Sequence, residues 1–219
     1  MSAKGRSSKA RPRGTLESAA DIRAGAAALR RLCPVLRRVH DLTGDPPLRR
    51  LAPGFEGLAR VVVGQQLSIA SAAAIWTRAA AAVVPFDAET FLAQDDATLR
   101  AAGLSHGKVK TLRAAAQAVL DGALMLDTGV PDAELRDALM RVSGIGPWTA
   151  DIYTLFCLGR ADGFAAGDLA LQIAVERAFE LDARPGAVAL LDMAERWRPW
   201  RGVAAHLLWA FYAHSRAAR

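Results

Sequence analysis

The sequence predicts an all-α protein, and three observations support that class. Apolar residues make up 52% of the 219-residue chain, ample for a core. They are mainly alanine, leucine and valine at helical spacing, with little strand-like alternation. Residues that start helices stand where such runs begin, at Pro34, Ser68 and Pro147. No apolar run approaches the roughly 20 residues that a bilayer span needs. The basic N-terminus has no apolar segment behind it, so it is not a secretory signal. A cytoplasmic protein with no membrane partner is expected, with Cys33 and Cys157 as buried thiols.

The elements follow in order. Residues 1–14 hold Lys4, Arg6, Lys9, Arg11 and Arg13 and no acid, which accounts for most of the net charge of +6. They read as a disordered basic tail, equally suited to holding phosphates loosely or to solubility. Ser18 to Leu32 reads as a helix with Ile22, Leu29 and Leu32 on its apolar side. Pro34 starts a short helix toward Asp41, and Thr43 to Pro53 is a proline-rich connection. Phe55 to Gln65 is a helix facing inward through Leu58, Val61 and Val62. Ser68 caps a helix through Trp76 to Val84. Phe86 to Asp96 and Thr98 to Ala102 have short helical character. The stretch from Leu104 leads into an alanine-rich helix ending near Asp121, with Lys108, Lys110 and Arg113 at its start. Asp132 to Met140, Trp148 to Leu158, Leu169 to Phe179, Ala187 to Arg196 and Val203 to Tyr212 complete the set. Trp76 reads as core, and Trp197 and Trp200 as packing around Pro199.

The most informative stretch is Leu139-Met-Arg-Val-Ser-Gly-Ile-Gly-Pro-Trp-Thr-Ala150. Gly144 and Gly146 read as a tight turn, because glycine adopts angles that a Cβ forbids. Pro147 then opens a helix whose free N–H groups and partial positive charge point into the turn. Such a turn suits a phosphate. A second polar break, Gly64-Gln65-Gln66, separates two helices. A third feature is Asp168, placed where a helix begins after a glycine-rich loop. Aspartate is a favoured N-cap. A carboxylate fixed beside a pocket also suits a reaction that develops positive charge.

These three stretches resemble motifs of the helix-hairpin-helix DNA glycosylase superfamily. The hairpin matches its Leu-x-x-x-Pro-Gly-Ile-Gly-x-x-Thr-Ala, with Ser143 in place of proline. Gly64-Gln-Gln-Leu-Ser68 is similar to a tract of alkylpurine glycosylases, the 3-methyladenine DNA glycosylase II type. Phe164-Ala-Ala-Gly-Asp-Leu-Ala-Leu171 is similar to the family's catalytic segment, with Ala165 in place of proline. The likeness spans roughly Leu29 to Tyr212 and implies two helical lobes with a cleft between them. The central helices, about 55–157, would form one lobe and the N- and C-terminal helices the other, within a domain of residues 15–219.

The resemblance implies a monofunctional base-excision enzyme that flips alkylated purines such as 3-methyladenine and 7-methylguanine out of double-stranded DNA. Asp168 would be catalytic, facing an oxocarbenium-like sugar. Trp148, Trp209, Ile152 and Tyr153 would line the base pocket, where an electron-rich ring attracts a cationic base. Gly144, Gly146 and Thr149 would grip a phosphate through backbone amides, with Gln65, Gln66, Leu67 and Lys108 also on DNA. Gln66 aligns with the side chain that wedges into the duplex, and Leu67 is its neighbour. Carbonyls of Met140, Val142 and Ile145 align with ligands of a structural monovalent cation, Na or K. No other cofactor is expected.

Bifunctional relatives carry a Schiff-base lysine where Trp148 stands, so no lyase step of that kind is available. No cysteine follows Cys157, so an iron–sulfur cluster lacks its ligands. The likeness also implies a monomer acting at a bacterial nucleoid. Two further readings remain: the same scaffold acting on uracil, mismatched or oxidised bases, or a non-catalytic helix-hairpin-helix module that only binds DNA.

Overall fold

The computed structural model describes residues 14–217. Twelve α-helices run through them: α1 (Ala19–Leu32), α2 (Pro34–Thr43), α3 (Phe55–Gly64), α4 (Ile69–Ala82), α5 (Ala88–Ala93), α6 (Asp96–Ala101), α7 (His106–Leu120), α8 (Asp132–Arg141), α9 (Pro147–Ile152), α10 (Leu169–Ala178), α11 (Ala187–Ala194) and α12 (Arg201–Ala217). Among the described residues no strand forms, only an isolated antiparallel bridge between Thr15 and Arg160. The expectation of an all-α fold is met.

Local chemistry explains most helix starts. Ser18 accepts from the Asp21 N–H while Asp21 reaches back to the Ser18 N–H, a reciprocal cap for α1. Ser68 accepts from the Ser71 N–H at the start of α4. Pro34 and Pro147 each take a first helical position.

Helix packing falls into two sets of contacts. Helices α1, α2, α10 and α12 pack on one another, and α11 leans on α10. Helix α3 packs on α4 and α7, with α5 and α6 completing that group. The hairpin pair α8–α9 joins the second group through contacts of α9 with α3. The connection between α2 and α3 crosses from one group to the other. There the Leu51 N–H donates to the Phe156 carbonyl, and Arg50 Nη1 donates to the carbonyls of Phe156 and Cys157. Both cysteines are free and buried, and burial pushes the Cys157 thiol up to about 12.

Several boundaries differ from the sequence reading. Leu32 is 55% exposed, because α1 ends there and turns its last residue outward. The helix after Pro147 is not α throughout: Tyr153–Cys157 winds as a π-helix. Helix α12 begins two residues before Val203 and runs well past Tyr212. Of the basic tail, residues 1–13 lie outside the described residues. Gly14 itself is tied down, its carbonyl accepting from the Ala161 N–H. Trp76 is only partly buried and lies under the Arg60 guanidinium, 5.1 Å from its ring. Trp197 is fully buried against Phe164 and Phe179.

Candidate functional site

Asp168 caps α10, its Oδ1 accepting from the Leu171 N–H at 3.0 Å. The same oxygen accepts from Trp209 Nε1 at 3.0 Å, and Oδ2 accepts from Trp148 Nε1 at 2.8 Å. The three donors come from α10, α12 and α9. A carboxylate has about four acceptor positions, so three donors leave one free, on Oδ2. The cap that local sequence requires is thus also the point where two indoles from different helices meet.

Three hollows converge here. One, of about 730 Å³, is lined by Gly64–Leu67, Gly144, Trp148, Thr149, Asp168 and Tyr212. A second, of about 700 Å³, lies across Asp168 and includes Arg49, Trp209 and Arg216. A third, of about 360 Å³, holds Trp76, Trp148, Ile152 and Phe156. Leu67, which is 40% exposed, borders all three. A fourth hollow, around Asp132, Arg136 and Arg198, shares no lining residue with Asp168's two hollows.

The hairpin has the expected shape, but its glycines do different things. Gly144 sits at φ +88°, and a Cβ there would run into Thr111 Oγ1 on α7. Gly144 is therefore required both by its backbone angle and by close approach. Gly146 is extended, with nothing within 4 Å of an added Cβ. It caps α9 without side-chain help, so the reading of both glycines as turn-forming is corrected for Gly146. The Val142 carbonyl accepts from the Ile145 N–H, which closes the turn.

Other predicted residues divide in three ways. Trp148 lines two of the hollows, Trp209 the one with Arg49, and Ile152 the one with Trp76. Tyr153 lines none of the three. It is fully buried, its hydroxyl accepting from the Gly54 N–H and donating to the Leu126 carbonyl. Burial raises its pKa. Tyr153 is a core residue that braces the crossing connection.

Lys108 is also corrected as a DNA contact. Its ammonium donates to the carbonyls of Val63 at 2.7 Å and Gln65 at 3.1 Å, and burial lowers its pKa. It closes the C-terminal end of α3. Gln65 is likewise turned inward, donating through Nε2 to Thr149 Oγ1 at 2.7 Å. Arg113, grouped with Lys108 in sequence, is taken by Asp96 and the carbonyls of Leu92 and Gln94. Lys110 is exposed. Gln66 is exposed too, at φ +56°, an angle few side-chain-bearing residues adopt. Lys108 and Gln65 thus hold the loop from which Gln66 and Leu67 project.

Sequence reasoning missed Arg49. Its guanidinium lies 5.2 Å from the centroid of the Trp209 ring. Its backbone N–H donates to His206 Nε2, while His206 Nδ1 donates to the Gly202 carbonyl. Burial depresses the His206 pKa to about 4, consistent with a neutral ring that accepts on Nε2. Desolvation lowers the Arg49 pKa and the Asp168 charge raises it. Arg49 stands in a proline-rich connection with no motif around it, so nothing local could have singled it out.

An all-helical chain that sets a glycine hairpin against an indole-anchored aspartate is a helix-hairpin-helix protein. The profile described as "HhH-GPD superfamily base excision DNA repair protein" matches residues 59–199. DNA-3-methyladenine glycosylase 1 of Schizosaccharomyces pombe is 30% identical over 162 residues, covering 71% of either chain. The solved structure of the S. pombe 3-methyladenine DNA glycosylase Mag1 in complex with abasic DNA superposes with a TM-score of 0.77 at 25% identity, covering 88% of this chain and 97% of that one. The probable bifunctional transcriptional activator/DNA repair enzyme AlkA of Mycobacterium tuberculosis is 35% identical over 105 residues, 48% of this chain. The chain matches only 21% of that relative's length. This chain belongs to the HhH-GPD superfamily of base excision DNA repair proteins. No helix among the described residues is long and apolar enough to cross a membrane.

Proposed function

We propose that this protein is a monofunctional DNA glycosylase that hydrolyses the N-glycosidic bond of alkylated purines in double-stranded DNA. The observation that carries this reading is the Asp168 carboxylate, held by two indole N–H groups at the mouth of hollows shared with the hairpin. A base inside a duplex is out of reach of such a group, so the nucleotide is flipped out. Gln66 and Leu67 project from the braced loop and fill the space it leaves. The backbone amides around Gly146 and Thr149 hold a phosphate beside the lesion. The carbonyls of Met140, Val142 and Ile145 would hold a Na or K ion, the Val142 oxygen keeping a second lone pair beside the bond it accepts from the Ile145 N–H. No step of the reaction runs through it.

As the C1′–N bond lengthens the sugar becomes cationic. Asp168 stabilises that charge only as it develops, which lowers the barrier without tightening the ground state. The acceptor position left open on Oδ2 orients the attacking water. Trp148 offers no amine, so the reaction ends at hydrolysis. The protein acts as a monomer in the cytoplasm, at the nucleoid.

The test is release of 7-methylguanine and 3-methyladenine from methylated duplex by wild type and Asp168→Asn. Excision should fall by about 10²-fold or more in the variant, while binding to lesion DNA survives. A non-catalytic module would show no difference between the two proteins. Release from uracil-containing or 8-oxoguanine duplex, with none from methylated duplex, would move the assignment to another base on the same scaffold.

A further inference from the structure

The loop that carries Gln66 and Leu67 is a type II turn with an unfavourable residue at its third position. Gln65 stands at φ −56°, ψ 129°, Gln66 at φ +56°, and the Leu67 N–H meets the Gly64 carbonyl at 3.4 Å. That third position favours glycine or asparagine, because its φ is positive. A glutamine there is strained, and such strain persists only where the surroundings hold it. Flipping the peptide between Gln65 and Gln66 would give the type I turn, in which Gln66 takes a negative φ that suits any side chain. The flip would also re-aim the Gln66 side chain.

Two contacts oppose it. Lys108 Nζ donates at 3.1 Å to the Gln65 carbonyl, the oxygen that the flip would turn away. Gln65 Nε2 donates at 2.7 Å to Oγ1 of Thr149, a residue 84 positions further on that is 2% exposed. Thr149 lies in the first turn of α9, directly after Trp148, whose Nε1 donates to Asp168 Oδ2. The strained turn, the hairpin helix and the carboxylate are therefore linked side chain to side chain.

We propose that Gln65 is a positioning residue whose amide, bonded to Thr149, keeps the turn in its strained form and so aims Gln66 into the duplex at a fixed offset from Asp168. A side chain is kept at a position suited to glycine because it fills the space the flipped nucleotide leaves, and Gln65 supplies the hold it needs. This inference rests on the glycosylase reading and deepens it. A pre-aimed wedge matters most for a lesion still paired with its partner base, since extrusion is cheapest for a base that is already unpaired.

The experiment measures single-turnover release of 7-methylguanine from two duplexes, one with cytosine opposite the lesion and one with an abasic site opposite. Gln65→Met keeps the length of the side chain but removes the amide. It should lower the paired-to-unpaired rate ratio by about tenfold. Thr149→Val keeps the backbone N–H and should lower the ratio by a similar factor, with no further loss in the double substitution. Gln65→Glu should restore the ratio toward that of wild type, because its carboxylate accepts from the Thr149 hydroxyl. A 2-aminopurine beside the lesion should brighten less on binding Gln65→Met than on binding wild type. A ratio that stays constant in Gln65→Met while both rates fall would reduce the bond to a fold contact and overturn the inference. Losses that multiply in the double substitution would overturn it as well. Wild type that releases 7-methylguanine from neither duplex would defeat the glycosylase reading itself, and this inference with it. Melting temperatures of the variants separate loss of fold from loss of aim.

Discussion

Replacing Lys108 with methionine separates two roles that sequence alone merges. A lysine at the start of a helix in a DNA-binding protein invites a phosphate contact, but Lys108 Nζ lies 2.7 Å from the Val63 carbonyl and 3.1 Å from the Gln65 carbonyl. Hydrogen bonds from a charged donor contribute about 1.5–3 kcal/mol each when buried. Lys108 is only half-buried, so water replaces part of that, and a loss of about 1–2 kcal/mol is expected. In a chain of this size that lowers Tm by roughly 2–8 °C. The loop bearing Gln66 and Leu67 loosens, so excision from a fully paired duplex slows more than excision of an unpaired lesion. Binding measured by anisotropy between about 50 and 200 mM salt reads the other role. Each neutralised phosphate adds about 0.9 to the slope of log K against log salt. The expected outcome is an unchanged slope with a lower Tm. A slope reduced by about one, with unchanged melting, would refute the positioning role and return Lys108 to the DNA backbone.

Three more outcomes follow from the geometry. Gly144→Ala forces a side chain to φ +88° and into Thr111, and should cost about 2 kcal/mol or more in a denaturant melt, whereas Gly146→Ala should stay within about 0.5 kcal/mol. Trp148→Phe keeps a ring but removes the N–H held by Asp168 Oδ2, so the excision rate should fall about tenfold with little change in DNA affinity; an unaltered rate would show that the indole serves only as a wall. His206 has its folded pKa lowered to about 4, below its unfolded value, so the folded state binds fewer protons between those limits. Its contribution is fully present above about pH 6.5 and is lost as pH falls toward 4. His206→Gln should therefore show a shallower decline of Tm across that window than wild type, and an identical decline would exclude the histidine as its source.

The features legible in the sequence are those whose physics is local. Ser68 caps α4 through a neighbour three residues on. Asp168 caps α10 in the same way, and Pro147 opens α9 through its own ring. The hairpin glycines and the Gly64–Ser68 tract could be matched as short strings. Tyr153 and Lys108 were misread because their partners are remote. The Tyr153 hydroxyl meets Gly54, 99 residues away, and Lys108 meets Val63, 45 residues away. In sequence each looks like an aromatic or a cation near a site, and only packing shows where its polar atom is satisfied.

Taken alone, the amino-acid sequence determined the helical class, the caps, the hairpin and the aspartate, since each follows from interactions within a few residues or from a motif that short. The tertiary structure decided how they are used. It brought Trp148 and Trp209 onto opposite oxygens of Asp168 and turned Gln65 inward to Thr149. It also anchored Arg49 on His206, 157 residues further along the chain, and so laid a cation on the Trp209 ring. Buried polar atoms must find partners wherever the fold supplies them, and helix packing sets which remote residues are in reach.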